Sequence, residues 1–306
     1  MTEKYLTEVE ELQSLLKTGS EHSRGSPGKT PGQCGPENVF VIDTRDEVAY
    51  RENHIPGAVN VHDIFTYLCT RYLGGYEALV SHFVRVFGDV GLKREDKVVV
   101  YEDAMDNGYG QSCRGWFILK YLGHPDVTVL HGGYRAWLGK GMPTSRENSR
   151  RERTKYGVAL DPSMLVTADE MLEAINDPSI IIIDVRDYAE WIGANSSPYG
   201  YDYCPRKGRI PRAKWLEWYR LMARKGGTPW FRSKEDILKV VAQVGITPDS
   251  KVYVYCFKGA RTSNALLAMR WAGIKNVRNY FASWNEWSRD FSLPIEEGYP
   301  ESQDDA

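Results

Sequence analysis

Cys256 stands where one sequence pattern ends and another begins. Before it, Val252-Tyr253-Val254-Tyr255 alternates like a strand. After it, Ala265, Leu266, Met269 and Trp271 recur with helical spacing. The intervening turn, Cys256-Phe257-Lys258-Gly259-Ala260-Arg261-Thr262, holds one thiol, one glycine and two cations. A helix starting just past Cys256 aims unpaired N–H groups and the positive end of its dipole at this turn. Gly259 permits a backbone conformation that a side chain hinders. A compact turn of this kind gathers N–H groups into an anion-binding concavity. Lys258 and Arg261 add positive charge at its rim. Each contribution favours thiolate over thiol. One pKa unit is about 1.4 kcal/mol, so several modest effects ionise the thiol near neutrality. The residues Lys258, Gly259, Ala260, Arg261 and Thr262 are therefore expected to form a substrate cradle around a nucleophilic Cys256.

Two reactions use a thiolate inside a ring of N–H groups. One is phosphoryl transfer through a cysteinyl-phosphate, with Arg261 clamping the oxygens. The other is sulfur transfer through a persulfide, whose outer sulfur the ring holds as an anion. Cysteine phosphatases use Cys-x5-Arg, whereas here Arg261 follows Cys256 by five positions, one residue shorter. The smaller cradle suits a single sulfur atom.

The elements that position this turn occur twice. "NVFVIDTRDEVAYRENHIPGAVNV" from Asn38 and "SIIIIDVRDYAEW…GRIPRAKW" from Ser179 share a strand ending in Ile-Asp-x-Arg-Asp and a later Ile-Pro-x-Ala turn. Asp43 aligns with Asp184, a shift of 141, and Pro56 with Pro211, a shift of 155. The second copy thus carries about 14 extra residues near Asn195 to Gly208. Downstream, Tyr101 pairs with Tyr255 and Trp137 with Trp287. A period near 150 means two copies of a whole domain. Apolar strands such as "VFVID", "IIIID" and "KVVVY" alternate with helical patterns. That predicts an α/β fold of two domains, each a parallel sheet flanked by helices. Ligands of such sheets bind beyond the strands' carboxyl ends, where Asp184, Arg186 and Cys256 all fall. The first domain is assigned to residues 1–145, a charged linker to 146–163 with a solvated basic cluster, and the second domain to 164–306. Residues 17–38, rich in Gly, Pro and Ser, read as a long mobile loop containing Cys34.

The chain has 306 residues, 42% hydrophobic and 26% charged, enough for sizeable cores. A formal charge of −2 leaves no footprint for nucleic acid or an anionic membrane. No apolar run is long enough to span a bilayer. The start, "MTEKYLTEVEELQSLLKTG", reads as an acidic amphipathic helix rather than a secretory signal, so a cytoplasmic protein is expected. Five cysteines without a CxxC pair argue against a structural zinc or a disulfide framework.

Taken together, the duplicated "IDxRD…IPxA" segments, the strand-Cys-loop-helix and "SWNEW" at Ser283 to Trp287 resemble the tandem-domain rhodanese family. This is the thiosulfate and 3-mercaptopyruvate sulfurtransferase family. The resemblance spans nearly the whole chain, least at residues 1–38 and the linker. It implies a catalytic second domain, an inactive first domain, and no metal or organic cofactor. It also implies a small anionic sulfur donor and a cyanide or thiol acceptor. Cys256 would be the nucleophile. Lys258 matches the cationic position of thiosulfate-preferring members, while mercaptopyruvate-preferring members have small residues there.

In the first copy Glu102 replaces the cysteine, an anion that would repel the donor. Cys113, expected in the following helix, is structural. Arg186 either contacts the donor or pairs with Asp184 or Asp187, and Asp184 is expected to support the site. Two departures weaken the donor assignment: Glu190 stands where an arginine is common, and Arg261 stands near a usual threonine. Arg206, Lys207 and Arg209 of the insertion either line the active-site mouth or decorate a surface loop, the surface reading being favoured, and Cys204 is a candidate resolving or acceptor thiol.

Overall fold

The structure, a computed structural model, describes residues 3–23, 39–107, 109–149 and 151–300. Two compact units emerge. One comprises Met1–Tyr67, Glu77–Asp161 and Arg224–Trp230. The other comprises Leu68–Tyr76, Pro162–Ala223 and Phe231–Ala306. Most of the Gly/Pro/Ser-rich stretch, Cys34 included, lies outside the described residues.

In the first unit five strands are parallel: β1 (Leu6–Thr7), β2 (Val39–Asp43), β3 (Val59–Asn60), β4 (Lys97–Tyr101) and β5 (Val127–Leu130), in the order β1-β5-β4-β2-β3. The N-terminal stretch is not wholly helical. Leu6 and Thr7 pair with β5, and the helix α1 occupies Val9–Ser23. Further helices are α2 (Glu47–Glu52), α3 (Asp63–Thr66), α4 (Gly75–Asp89), α5 (Gln111–Tyr121) and α6 (Gly133–Gly139). The central strands are buried nearly throughout, which explains their continuous apolar character. Cys113 is buried within α5, as expected.

The linker runs along this unit, tied to it by backbone hydrogen bonds while most of its residues, Arg146, Arg153 and Lys155 included, stay exposed as expected of a solvated basic cluster. Thr154 N–H donates to Gly88 O, Ala159 N–H to Leu122 O and Asp161 N–H to Tyr121 O. A Cβ on Gly123 would sit 1.8 Å from Ala159 O, so this approach needs glycine. Arg151, from the basic cluster, pairs with buried Asp96 and donates to Val39 O.

In the second unit β6 (Ile180–Asp184), β7 (Lys214–Trp215), β10 (Lys251–Tyr255) and β11 (Val277–Asn279) form a parallel sheet in the order β11-β10-β6-β7. Between them in sequence, β8 (Met222–Lys225) and β9 (Thr228–Phe231) make a two-stranded ribbon. The helices are α7 (Ala168–Ala174), α8 (Tyr188–Trp191), α9 (Lys234–Ala242), α10 (Ala260–Ala272) and α11 (Ser283–Trp287). A Thr167–Glu170 capping box starts α7.

The duplication extends to a buried Asp–Arg–Tyr network in each copy. In the first unit Arg45 forks onto Asp43, and Tyr101 hydroxyl donates to the same carboxylate while accepting Ile55 N–H. In the second unit Arg186 forks onto Asp184, and Tyr255 donates to Asp184 while accepting Ile210 N–H. The shared Ile-Asp-x-Arg and Ile-Pro-x-Ala motifs are thus two ends of one buried network. The turns differ at one position. Gly57 has φ 86°, and the matching Arg212 holds a left-handed φ of 63°. The Arg212 guanidinium offsets that strain by donating to Ala174 O, Ile175 O and Asp177 O.

Candidate active site

Cys256 directly follows β10 and is 1% exposed. Gly259 caps α10 in a left-handed conformation, φ 91°. A Cβ there would lie 2.6 Å from the Phe281 ring and 2.7 Å from Phe281 O, so glycine is required twice over. This bend turns Gly259 N–H onto the cysteine sulfur at 3.3 Å. Thr262 hydroxyl lies 3.8 Å from the same atom. Ala260 begins α10, so the sulfur faces that helix's first turn.

The thiol is held below its ordinary range. Burial alone would raise it, but the Arg261 charge and the N–H groups of Thr262, Gly259 and Lys258 together outweigh burial. Cys256 is therefore biased toward a thiolate held by amides.

The two loop cations have different places. Arg261 is not at the rim: it is 3% exposed, and its guanidinium forks onto Glu190, Nη1–Oε2 2.6 Å and Nη2–Oε1 3.0 Å. Asp187 Oδ1 accepts a third bond at 3.3 Å. Arg261 thus acts on the sulfur through its field, and Glu190 fills a structural place opposite it. Lys258 is 9% exposed, with Nζ 5.4 Å from the centroid of the Tyr199 ring. Arg186 is wholly buried, forked onto Asp184, bonded to Gly208 O at 2.6 Å and stacked 4.6 Å from the Trp284 ring. Of the two roles expected for it, the structure shows the Asp184 ion pair.

Ser283 was not singled out from the sequence. It is buried, with an unusual left-handed φ of 58° for a residue bearing a side chain. Its Oγ accepts Cys256 N–H at 3.1 Å and donates to Tyr280 O at 2.7 Å. Trp284 N–H then donates to Cys256 O, and Asn285 N–H to Phe257 O. The first copy makes the same pair of bonds, Tyr134 N–H to Glu102 O and Arg135 N–H to Asp103 O, but with Gly133, φ 65°, at the bend. A serine replacing that glycine in the repeat was the available signal.

Glu102 occupies the first copy's equivalent place. It accepts Ser112 hydroxyl at 2.6 Å and Gln111 N–H at 3.0 Å, and burial pushes its carboxyl up to about 8. A carboxyl of the chain itself thus takes the donors that would otherwise face a ligand.

The insertion is anchored rather than decorative. Arg206 donates to the carbonyls of Trp287, Ser288, Asp290 and Leu293. Arg209 pairs with Glu296 and donates to Gly298 O. Lys207 lies over the Tyr201 ring at 5.5 Å. Cys204 is fully buried and burial pushes its thiol up to about 11, which does not suit an acceptor thiolate. Among the described residues no His, Cys, Asp and Glu cluster could hold a metal ion, and no helix is long and apolar enough to cross a membrane.

A repeated parallel α/β unit, with an amide-ringed cysteine at the carboxyl end of one strand in the second copy only, defines a class of tandem-domain, cysteine-based proteins. The chain belongs to the rhodanese-like family, whose domain profile matches residues 30–140 and 167–290. It is 32% identical over 268 residues to a putative thiosulfate sulfurtransferase 1 of Mycobacterium bovis, covering 86% of this chain and 93% of that one. It is 28% identical over 270 residues to the sulfur carrier protein TtuD of Thermus thermophilus, covering 85% and 90%. Among solved structures, an anaerobic ergothioneine biosynthesis enzyme from Chlorobium limicola, in complex with trimethyl histidine, superposes with a TM-score of 0.77 at 26% identity. That match covers 96% of this chain and 70% of the other. An EanB variant with ergothioneine linked to a persulfidated cysteine gives 0.77 at 25% identity, covering 97% and 70%.

Proposed function

We propose that this protein is a sulfurtransferase that carries sulfane sulfur on Cys256, taking it from thiosulfate and passing it to cyanide or a thiol. The observation that carries this reading is the Gly259 N–H aimed at the Cys256 sulfur at 3.3 Å, in a loop one residue too short for a phosphate. A phosphatase reading needs Arg261 as an oxyanion clamp, and Glu190 already holds that guanidinium. The names of the relatives, thiosulfate sulfurtransferase and sulfur carrier protein, support the same chemistry.

In the first step the Cys256 thiolate attacks the outer sulfur of thiosulfate. A new S–S bond forms to Cys256, the donor's S–S bond breaks, and sulfite leaves with the electron pair. The terminal persulfide sulfur then carries the negative charge, and the ring of N–H groups stabilises it. In the second step cyanide attacks that sulfur. The persulfide bond breaks, thiocyanate departs and the thiolate returns. Lys258 is the cation assigned to the dianionic donor, with the helix start and amides completing its site. Intact mass after thiosulfate treatment tests the proposal. A gain of one sulfur atom, removed by cyanide and absent in Cys256→Ser, is expected; no gain in the unaltered protein would overturn it.

A further inference from the structure

The 195–208 insertion has no counterpart in the first copy, and the sulfur chemistry above does not call on it. Its attachment nevertheless converges on the nucleophile. Trp284 and Asn285, both buried, each face two ways. Their N–H groups hold Cys256 O and Phe257 O. Their side chains hold the insertion: Trp284 Nε1–H donates to Arg206 O at 3.1 Å, and Asn285 Nδ2–H to Tyr203 O at 2.7 Å. The same two residues therefore register the insertion against the cysteine loop.

Within the insertion, Ser197 hydroxyl donates to Gly200 O and accepts Tyr199 N–H, which closes a tight turn. That turn lays the Tyr199 ring 4.9 Å from Phe257, the residue after the candidate nucleophile, with the Tyr203 ring 5.8 Å from Tyr199 and 6.3 Å from Phe257. Lys258 Nζ then lies 5.4 Å from the Tyr199 centroid, within cation–π range. A lysine in a loop mouth ordinarily extends its ammonium into water. Here it is only 9% exposed, whereas Tyr199 remains 45% exposed.

We infer that the insertion carries Tyr199 to the sulfur-donor site, where it is a positioning residue that holds the Lys258 ammonium beside Cys256 to receive a small dianionic donor. This rests on the donor site proposed above. The ring works through its π face, so the hydroxyl is dispensable.

Steady-state kinetics with thiosulfate and with 3-mercaptopyruvate, each with cyanide as acceptor, test it. Tyr199→Leu should raise the thiosulfate KM about fivefold, the size of one partly desolvated cation–π contact. It should leave kcat within about twofold and move the mercaptopyruvate KM less, because that donor carries one carboxylate. Tyr199→Phe should restore the unaltered KM. Tyr201→Leu, in the same loop, should leave both donors unaffected. An unchanged thiosulfate KM in Tyr199→Leu, a failure of Tyr199→Phe to rescue, or an equal loss in Tyr201→Leu would overturn the inference. Lys258→Ala separates the two claims. If it raises the thiosulfate KM while Tyr199→Leu does not, the Tyr199 role alone falls. If Lys258→Ala leaves that KM unchanged, the donor site and the role of Tyr199 fall together.

Discussion

Arg261 and Glu190 form a buried two-pronged ion pair, Nη1–Oε2 2.6 Å and Nη2–Oε1 3.0 Å, directly beside the nucleophile loop. Arg261 would otherwise press its full charge on Cys256, and Glu190 moderates that field. The Glu190 carboxyl lies below its usual range: burial would raise it, but the Arg261 charge and hydrogen bonds, with the Arg186 charge and the Asp187 N–H, together outweigh burial. Asp187, Arg186 and Glu217 are the other charged groups coupled to the pair.

Glu190→Gln should leave Arg261 in place with its charge less balanced. The thiolate should then persist to lower pH, shifting the midpoint of Cys256 alkylation down by about half to one pH unit. Arg261→Met should shift it up. Alkylation rate against pH, with iodoacetamide, measures both, and unmoved midpoints would show the pair to be structural only. The sign for stability is separate. A carboxyl depressed in the folded state stabilises above its unfolded value of about 4.3, and that stability is lost as pH falls through the folded value. Acid unfolding of Glu190→Gln should therefore begin from a lower plateau and fall less steeply.

Cys256→Ser should abolish sulfur uptake and cyanide-dependent thiocyanate formation. The hydroxyl is smaller and keeps the Gly259 N–H contact, so thermal unfolding should stay within a few degrees. Mass spectrometry and calorimetry on the same sample check the pair of outcomes; retained turnover would sink the assignment of the nucleophile.

Ser283 invites two substitutions of opposite character. Ser283→Gly relieves the φ of 58° but removes the acceptor for Cys256 N–H. Strain relief and the orphaned N–H oppose each other, so melting temperature should fall less than in Ser283→Ala, while turnover falls about tenfold, roughly one lost buried hydrogen bond. Ser283→Ala keeps the strain and orphans the N–H, so stability and turnover should both fall. Equal activity in all three proteins would remove any role for this hydroxyl.

Glu102 gives a pH dependence with the reverse sign. Its folded value of about 8 lies above the unfolded value of about 4.3. Below about 4.3 its contribution is fully present, and it is lost as pH rises toward 8. Glu102→Gln should flatten that decline, so its melting temperature should gain on the unaltered protein at pH 8 more than at pH 5. A constant difference across that range would contradict the burial of an ionising carboxyl.

Much of this was legible before any coordinates. The repeat, the parallel α/β layout and the candidate nucleophile follow from local signals: apolar runs, the shift from strand to helix spacing at Cys256, and Ile-Asp-x-Arg-Asp written twice. Less legible was the fate of the charges. Arg186 and Arg261 look alike as loop cations, yet each is paired inside the protein, with Asp184 and Glu190 respectively. The linker, polar in composition, is tied down by backbone hydrogen bonds, and the insertion by the Arg206 guanidinium on backbone carbonyls, neither of which composition reveals.

The sequence by itself determined what recurs at short range: where strands stop, where helices start, and which thiol lies between. Only the tertiary structure decided partners. Arg261 meets a carboxylate 71 positions away, Cys256 N–H meets a hydroxyl 27 away, and Tyr203 O meets an amide 82 away. Periodicity places a residue on a face, but which opposite charge or acceptor satisfies it depends on packing between segments that share no local pattern.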